Sequence, residues 1–185
     1  KAVNFGYLFG MWWKKFKDYA RDNYGVTVTD EQAEASRTNF FNLYPELESW
    51  HRKQKRTARS QGFVSSLSGR RRRLPHATHR DDTPQRREAE RQAINSPVQS
   101  FANEINLMTA IQISREYGTD VLKLCGTVND SILALVRGDK VVEVHDRILE
   151  IMRKPALFKT FGIKLKVPIE GEAKIGAWGK GVNLQ

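Results

Sequence analysis

Two runs rich in β-branched and large apolar residues, 121–128 and 131–136, are separated by only Asn129 and Asp130. A two-residue connection between such runs admits a tight antiparallel hairpin, because parallel neighbours need a crossover of about a dozen residues or more. Asp130 is therefore expected at the tip of a hairpin. The rest of the chain is organised mainly by helical period, so the expected class is α+β, with helices and small antiparallel sheets in separate stretches. Hydrophobic residues make up 39% and charged residues 28% of the 185 positions, enough apolar content for a core and too little charge for a disordered chain. This length suits one domain or a piece of a larger protein. Position 1 is Lys rather than Met, and the chain is expected to begin inside a longer sequence. No stretch approaches the ~18 apolar residues of a membrane span, and no signal-peptide pattern is present, so a cytoplasmic protein without a membrane partner is expected. A single cysteine, Cys125, excludes an internal disulfide framework and a cysteine-based zinc site.

Residues 1–24 read as a helix interrupted at Gly6 and Gly10. Thr29 and Gln32 are spaced as a capping box and open a second helix, which carries Phe40, Phe41 and Tyr44 up to Pro45. A third runs from Pro45 to Arg59, with Leu47 and Trp50 on its apolar side, and stops at Gly62. Phe63–Leu67 and Arg70–Leu74 form a hairpin about Ser68 and Gly69. Pro75–Thr83, with His76, His79, Asp81 and Asp82, reads as a polar loop rather than a metal cluster. Pro84 suits the first position of a helix reaching Asn95, and Pro97 is expected to break or kink it. Beyond it Val98, Phe101, Ile105, Met108 and Ile111 recur near helical period as a core stripe. Asp139 opens a helix to about Lys154, and short strands are expected at Lys164–Ile169 and Glu172–Ile175. No internal repeat is visible.

The charge is concentrated. Lys and Arg number 31 and Asp and Glu 21, a net of +10, and the 23 residues from His51 to Arg73 contain nine cations and no carboxylate. A positive surface of this density suits a polyanion, because each neutralised phosphate releases condensed counterions. The plainer readings are a solvated helix face or a localisation signal. Trp50 and Phe63 nearby favour nucleic acid.

The first ten residues, KAVNFGYLFG, resemble the nucleotide-binding helix of family A DNA polymerases, with Lys1, Asn4, Phe5, Gly6, Phe9 and Gly10 matching. A helix can present Lys1, Phe5 and Phe9 on one face. The resemblance gives Lys1 to the triphosphate, Phe5 to the sugar and Phe9 to the base-pair side. The segment LYPELESWHRKQKRTARSQGFVSSLSGRRRRLP resembles the next part of the family. ERQAINSPVQSFANEI resembles its DNA-facing helices, where Arg91, Asn95 and Gln99 match residues that bond to the primer-template minor groove. Ser100 stands where many members have Gly, and Glu104 where many have Asp. TVNDSILALV resembles the second catalytic motif: Asp130 takes the metal-binding position, Asn129 replaces the usual His at the primer end, and Ser131 the usual Glu. Val144-His145-Asp146 spells that motif more closely, but it lies in a helical pattern and is expected to be helix surface. IEGEAKIGAWG resembles the family's C-terminus, and NSPVQSF and TFGIKLKVPI look like phage members.

The resemblance implies a right-hand polymerase fragment. Residues 1–62 would be fingers helices; 63–120 a fingers-to-palm hairpin, basic loop and DNA-facing helices; and 121–185 the C-terminal palm with the catalytic hairpin. The implied partners are primer-template DNA, dNTPs and an upstream part of the polymerase. The implied cofactor is Mg²⁺, and Arg70, Arg71, Arg91, Asn95, Gln99 and Asn129 are implied to contact DNA. A two-metal mechanism needs a second carboxylate, which in the family lies upstream of the nucleotide-binding helix, together with an Arg for the triphosphate. The alternatives are a non-catalytic DNA-binding relative, with Asn129 as a sign of decay, and a generic basic nucleic-acid-binding domain.

Overall fold

A computed structural model describes residues 6–177 and 180–183. The elements follow as α1 (Trp13–Tyr24), α2 (Asp30–Leu43), α3 (Pro45–Gln61), β1 (Phe63–Ser65), β2 (Arg71–Arg73), a 3-10 turn (Pro75–Thr78), α4 (Pro84–Glu116), β3 (Leu122–Val128), β4 (Ser131–Val136), α5 (Val141–Arg153), α6 (Leu157–Thr160), β5 (Lys174–Ile175) and β6 (Val182–Asn183). The class is α+β, and among the described residues the strands pair as three antiparallel two-stranded sheets, β1–β2, β3–β4 and β5–β6. The chain divides into two compact units, one of Lys1–Ser66 with Arg70–Val98, the other of Leu67–Gly69 with Gln99–Gln185. Among the described residues, no helix is long and apolar enough to cross a membrane.

In the first unit, α1 and α2 pack around Tyr7, Phe16, Ala20, Ala33, Phe40 and Phe41. The capping box of α2 forms: Thr29 Oγ1 accepts from the Gln32 N–H at 3.2 Å, and Gln32 Oε1 accepts from the Thr29 N–H at 2.9 Å. Pro45 starts α3, and Gly62, at φ 71°, ends it two residues beyond the expected Arg59. The α3 residues that turn inward are His51 and Ala58, with Leu47 and Trp50 only half-buried. A second core of Ala58, Val64, Leu74, Ala77, Ala89 and Ala93 is dominated by small side chains, so α3, the first hairpin and the start of α4 approach closely. Pro75–Thr78 is a 3-10 turn rather than open loop.

The largest departure from expectation is α4. It runs 33 residues without interruption, with Pro97 inside it. Proline removes one N–H, so the Ala93 carbonyl loses its helical donor, at a cost of roughly 3 kcal/mol. Ala89 and Ala93 on one side and Phe101 and Ile105 on the other each belong to a buried cluster, and this packing outweighs that local loss. The expected stripe is also displaced: Phe101, Ile105 and Met108 are buried, but Val98 and Ile111 are exposed, and Ala110 and Ile113 turn inward instead.

In the second unit, Phe101 stacks on Phe158 of α6 with ring centroids 5.9 Å apart, beside Ile105 and Met108. Ile113, Leu122, Val144 and Ile151 form another cluster that seats the β3–β4 hairpin on α4 and α5. Arg147 of α5 bonds Glu116 of α4 at 2.7 and 2.9 Å. Ser68 donates to the buried Glu104 at 2.6 Å, a use for the carboxylate at that position. The strand expected over 164–169 does not form; those residues are irregular, while Ile163, Leu165 and Ile169 pack beside Phe158.

Candidate nucleic-acid interface and hairpin carboxylate

Lys1 and Phe5 lie outside the described residues, as does Asn4. The end of their segment is built as a helix terminus. Residues 6–8 are helical, and Gly10, at φ 77°, turns the chain. The Gly10 N–H bonds the Tyr7 carbonyl at 3.1 Å and the Met11 N–H bonds the Gly6 carbonyl at 2.9 Å, the pattern of a Schellman C-cap. Phe9 is half-buried. The Tyr7 hydroxyl donates to the Ala33 carbonyl of α2 at 3.0 Å, and His51 Nε2 of α3 donates to the Leu8 carbonyl at 2.9 Å. A Cβ on Gly10 would stand 2.8 Å from Ile94 Cδ1, so glycine also permits a close approach to α4.

The basic run divides by environment. Arg52, Lys53 and Arg56 of α3 are exposed, as are Arg70, Arg71, Arg72 and Arg73. No ion pair engages these seven among the described residues. The β1–β2 register sets Arg71 opposite Ser65, Arg72 opposite Val64 and Arg73 opposite Phe63. The Arg71 guanidinium lies 4.6 Å from the Phe63 ring centroid, which holds its planar charge at the surface. Arg59 differs: its Nε donates at 2.6 Å to Glu90, a buried carboxylate that also accepts from Arg86 Nε at 3.1 Å. Burial raises the Glu90 carboxyl, but the bond and charge of Arg59, with the bond from Arg86, outweigh it and the net shift is downward. One cation of the run is thus a strut between α3 and α4.

Arg91 and Asn95 belong to the first unit and Gln99 to the second, all on α4. Arg91 is exposed and bonds Glu88 at 2.7 and 2.9 Å. An exposed pair of this kind is worth little, so a nucleic-acid acceptor can compete for the guanidinium. Asn95 is half-buried, and its Oδ1 is shielded from solvent with no bond among the described residues. Gln99 is exposed.

The second hairpin forms as the two-residue connection requires. Val128 pairs with Ser131, leaving Asn129 and Asp130 as the turn, and a bulge at Cys125 lets Leu124 face Ala134 while Gly126 faces Leu133. Asn129 has φ 52°, a left-handed conformation in which Asn and His are both enriched among non-glycine residues. Asp130 is exposed with no ion pair among the described residues. Val144-His145-Asp146 lies within α5. There Val144 is buried, while His145 Nδ1 and Asp146 Oδ1 are 2.9 Å apart. Among the described residues, no group of three or more His, Cys, Asp or Glu is arranged to hold a metal ion.

His51, Glu90 and Arg86 were not legible as site-supporting residues in the sequence. The available signals were a histidine on the apolar side of α3 and an Arg–Glu pair at i,i+4.

The sequence pattern of DNA polymerase family A matches residues 1–180. The chain is similar to a DNA polymerase of Bacillus phage SP01, 33% identical over 82% of this chain and 17% of that protein. It is also similar to DNA polymerase I of Pseudomonas aeruginosa, 31% identical over 96% of this chain and 18% of that protein. Among solved structures, the POL domain of Pol1 from M. smegmatis, in complex with DNA primer-template and dNTP, has the same fold. Its TM-score is 0.77 at 23% identity, over 91% of this chain and 28% of that one. The chain thus spans under a fifth of these two sequence relatives, and a family match across nearly all of its own length places it in DNA polymerase family A.

Proposed function

We propose that this chain is the C-terminal part of a template-directed DNA polymerase that adds dNTPs to a primer 3′-end. The observation that carries the reading is Asp130, an exposed carboxylate on a two-residue hairpin turn in a chain of this family. In this reading residues 1–62 are fingers helices, 63–120 the hairpin, basic loop and DNA-facing helices, and 121–185 the palm part. Lys1 meets the triphosphate, Phe5 the sugar and Phe9 the base-pair side. Arg70 and Arg71 contact DNA phosphates, while Arg91, Asn95 and Gln99 meet minor-groove acceptors, whose positions vary little with sequence. Asn129 reaches the primer end.

Asp130 fits Mg²⁺ as one ligand, because this ion keeps several waters and takes only one or two carboxylates besides substrate phosphates. When bound, paired ions activate the 3′-hydroxyl and stabilise the leaving pyrophosphate. This chain's own contribution is to present one carboxylate at the turn of a hairpin whose base, at Leu122, is anchored in a buried cluster. The second carboxylate, and an Arg for the triphosphate, are assigned to an upstream part. The non-catalytic alternative rested on Asn129 in place of His. A φ of 52° suits both residues, so the exchange costs the turn nothing, and the Asn129 amide keeps the capacity to bond at the primer end, which favours the catalytic reading.

The test is primer extension. The 185 residues alone should incorporate no dNTP with Mg²⁺ or Mn²⁺, and joining them to an upstream part that carries the missing Asp and Arg should produce activity. Extension by the isolated chain would overturn the two-part reading.

The DNA path has its own test. Neutralising each phosphate contact changes the slope of log affinity against log salt by about 0.9. Arg70→Ala with Arg71→Ala should therefore make the slope shallower by roughly 1 to 2 and weaken duplex binding. An unchanged slope and affinity would remove these arginines from the path.

A further inference from the structure

The Schellman turn at Gly10 leaves one acceptor over. It satisfies the carbonyls of Gly6 and Tyr7 through the N–H groups of Met11 and Gly10. The next carbonyl, Leu8, belongs to the group a helix end cannot pair internally. His51 supplies the donor at 2.9 Å from 43 residues away. The imidazole is itself buried, with its ring edge-on to Phe41 at 5.7 Å between centroids, so it has little freedom to turn away. One residue earlier, Tyr7 reaches the Ala33 carbonyl of α2. Successive residues of the same terminal turn are thus held by α2 and by α3, immediately before Phe9.

We propose that His51 is a positioning residue for the nucleotide-binding segment: it pins the Leu8 carbonyl to α3 and so sets the orientation of Phe9 toward the incoming nucleotide. This rests on the reading of residues 1–10 as the dNTP segment. The neutral ring suffices for the bond, since one N–H donates, and the ring is held neutral: burial pushes the His51 pKa down, with Lys55 and Arg37 adding to the effect and the Leu8 carbonyl and Glu48 opposing it. The sign follows. A histidine with a depressed folded pKa contributes stability that is fully present above its unfolded pKa of about 6.5 and lost as pH falls through the lower folded value. Acidification therefore destabilises the buried ring through its desolvation and the nearby Lys55 and Arg37 charges, whereas the bond to the Leu8 carbonyl itself favours the protonated ring.

The experiment compares His51→Leu, which removes the donor, with His51→Gln, which retains one, in the polypeptide as encoded with any in-frame sequence upstream. Two quantities are read. Amide hydrogen exchange over residues 6–11 should quicken roughly tenfold in His51→Leu, the effect of losing one buried hydrogen bond, and much less in His51→Gln. The KM for dNTP on a primer-template should rise by about the same factor in His51→Leu with kcat changed less, and His51→Gln should restore most of it. Unchanged exchange in His51→Leu would overturn the pin whether or not the polypeptide is active. Faster exchange with an unchanged KM, or equal KM values in the two variants, would overturn the positioning role while leaving the polymerase reading intact. A wild-type polypeptide that incorporates no nucleotide even when joined to an upstream part carrying the missing Asp and Arg would overturn that reading and the positioning role with it.

Discussion

Asp130→Asn is expected to abolish nucleotide incorporation by the complete polypeptide, while Asp146→Asn leaves it nearly intact. The two residues have the same chemistry and similar neighbours in sequence, since each follows a Val-Asn or Val-His pair. They differ in what the backbone does with them. Asp130 is in a turn only two residues long, where the carboxylate projects from the end of a hairpin. Asp146 is on α5, between Val144, which is buried, and Arg147, which is bonded to Glu116 and Glu150. Losing one metal ligand costs about 4 kcal/mol of transition-state stabilisation, and each ~1.4 kcal/mol is tenfold, so a drop of about a thousandfold is expected at Asp130. Primer-extension rates under single-turnover conditions measure it. Greater sensitivity at Asp146 would reverse the assignment. Asn129→His is the companion measurement: because the turn conformation suits both residues, the rate should change only modestly.

The second large effect is structural. Gly10→Ala should destabilise the first unit by about 2–3 kcal/mol, from two separate causes. At φ 77° a Cβ meets the following carbonyl, and the same atom would stand 2.8 Å from Ile94 Cδ1. Ile94 is 2% exposed, so its end has little space into which to swing. Ile94→Val removes the contacted methyl. In a double-mutant cycle by urea unfolding, it should therefore recover about 1 kcal/mol of the Gly10→Ala loss, leaving the backbone strain behind. A coupling of zero would show that the chain relaxes instead at the Schellman turn.

These two cases show what was legible and what was not. The Asp130 hairpin could be read directly because a two-residue spacing between β-rich runs has very few solutions, and the same argument set aside the closer spelling at His145 and Asp146. The Thr29–Gln32 capping box was legible for the same reason: its geometry is local. Pro97 misled because the penalty for proline is local, whereas what overrides it is packing at Ala89, Ala93, Phe101 and Ile105, which no short window contains. His51 stayed hidden because a histidine among Arg and Lys reads as surface; only the fold brings the Leu8 carbonyl to it. The strand expected over 164–169 failed similarly, since its apolar residues pack beside Phe158 without a ladder partner.

The bulge at Cys125 bears on how this hairpin tolerates insertion and deletion. In a regular ladder, odd or even distance from an anchored residue such as Leu122 decides the face on which each later side chain emerges. One supernumerary residue at Cys125 breaks that parity between the anchored end and the turn. The terminal segment, residues 126–133, is thereby released from the alternation of the packed end. A lineage can lengthen or shorten this strand by a single residue near position 125 and shift only the parity between base and tip, whereas the same change at 128 would alter the turn that presents Asp130.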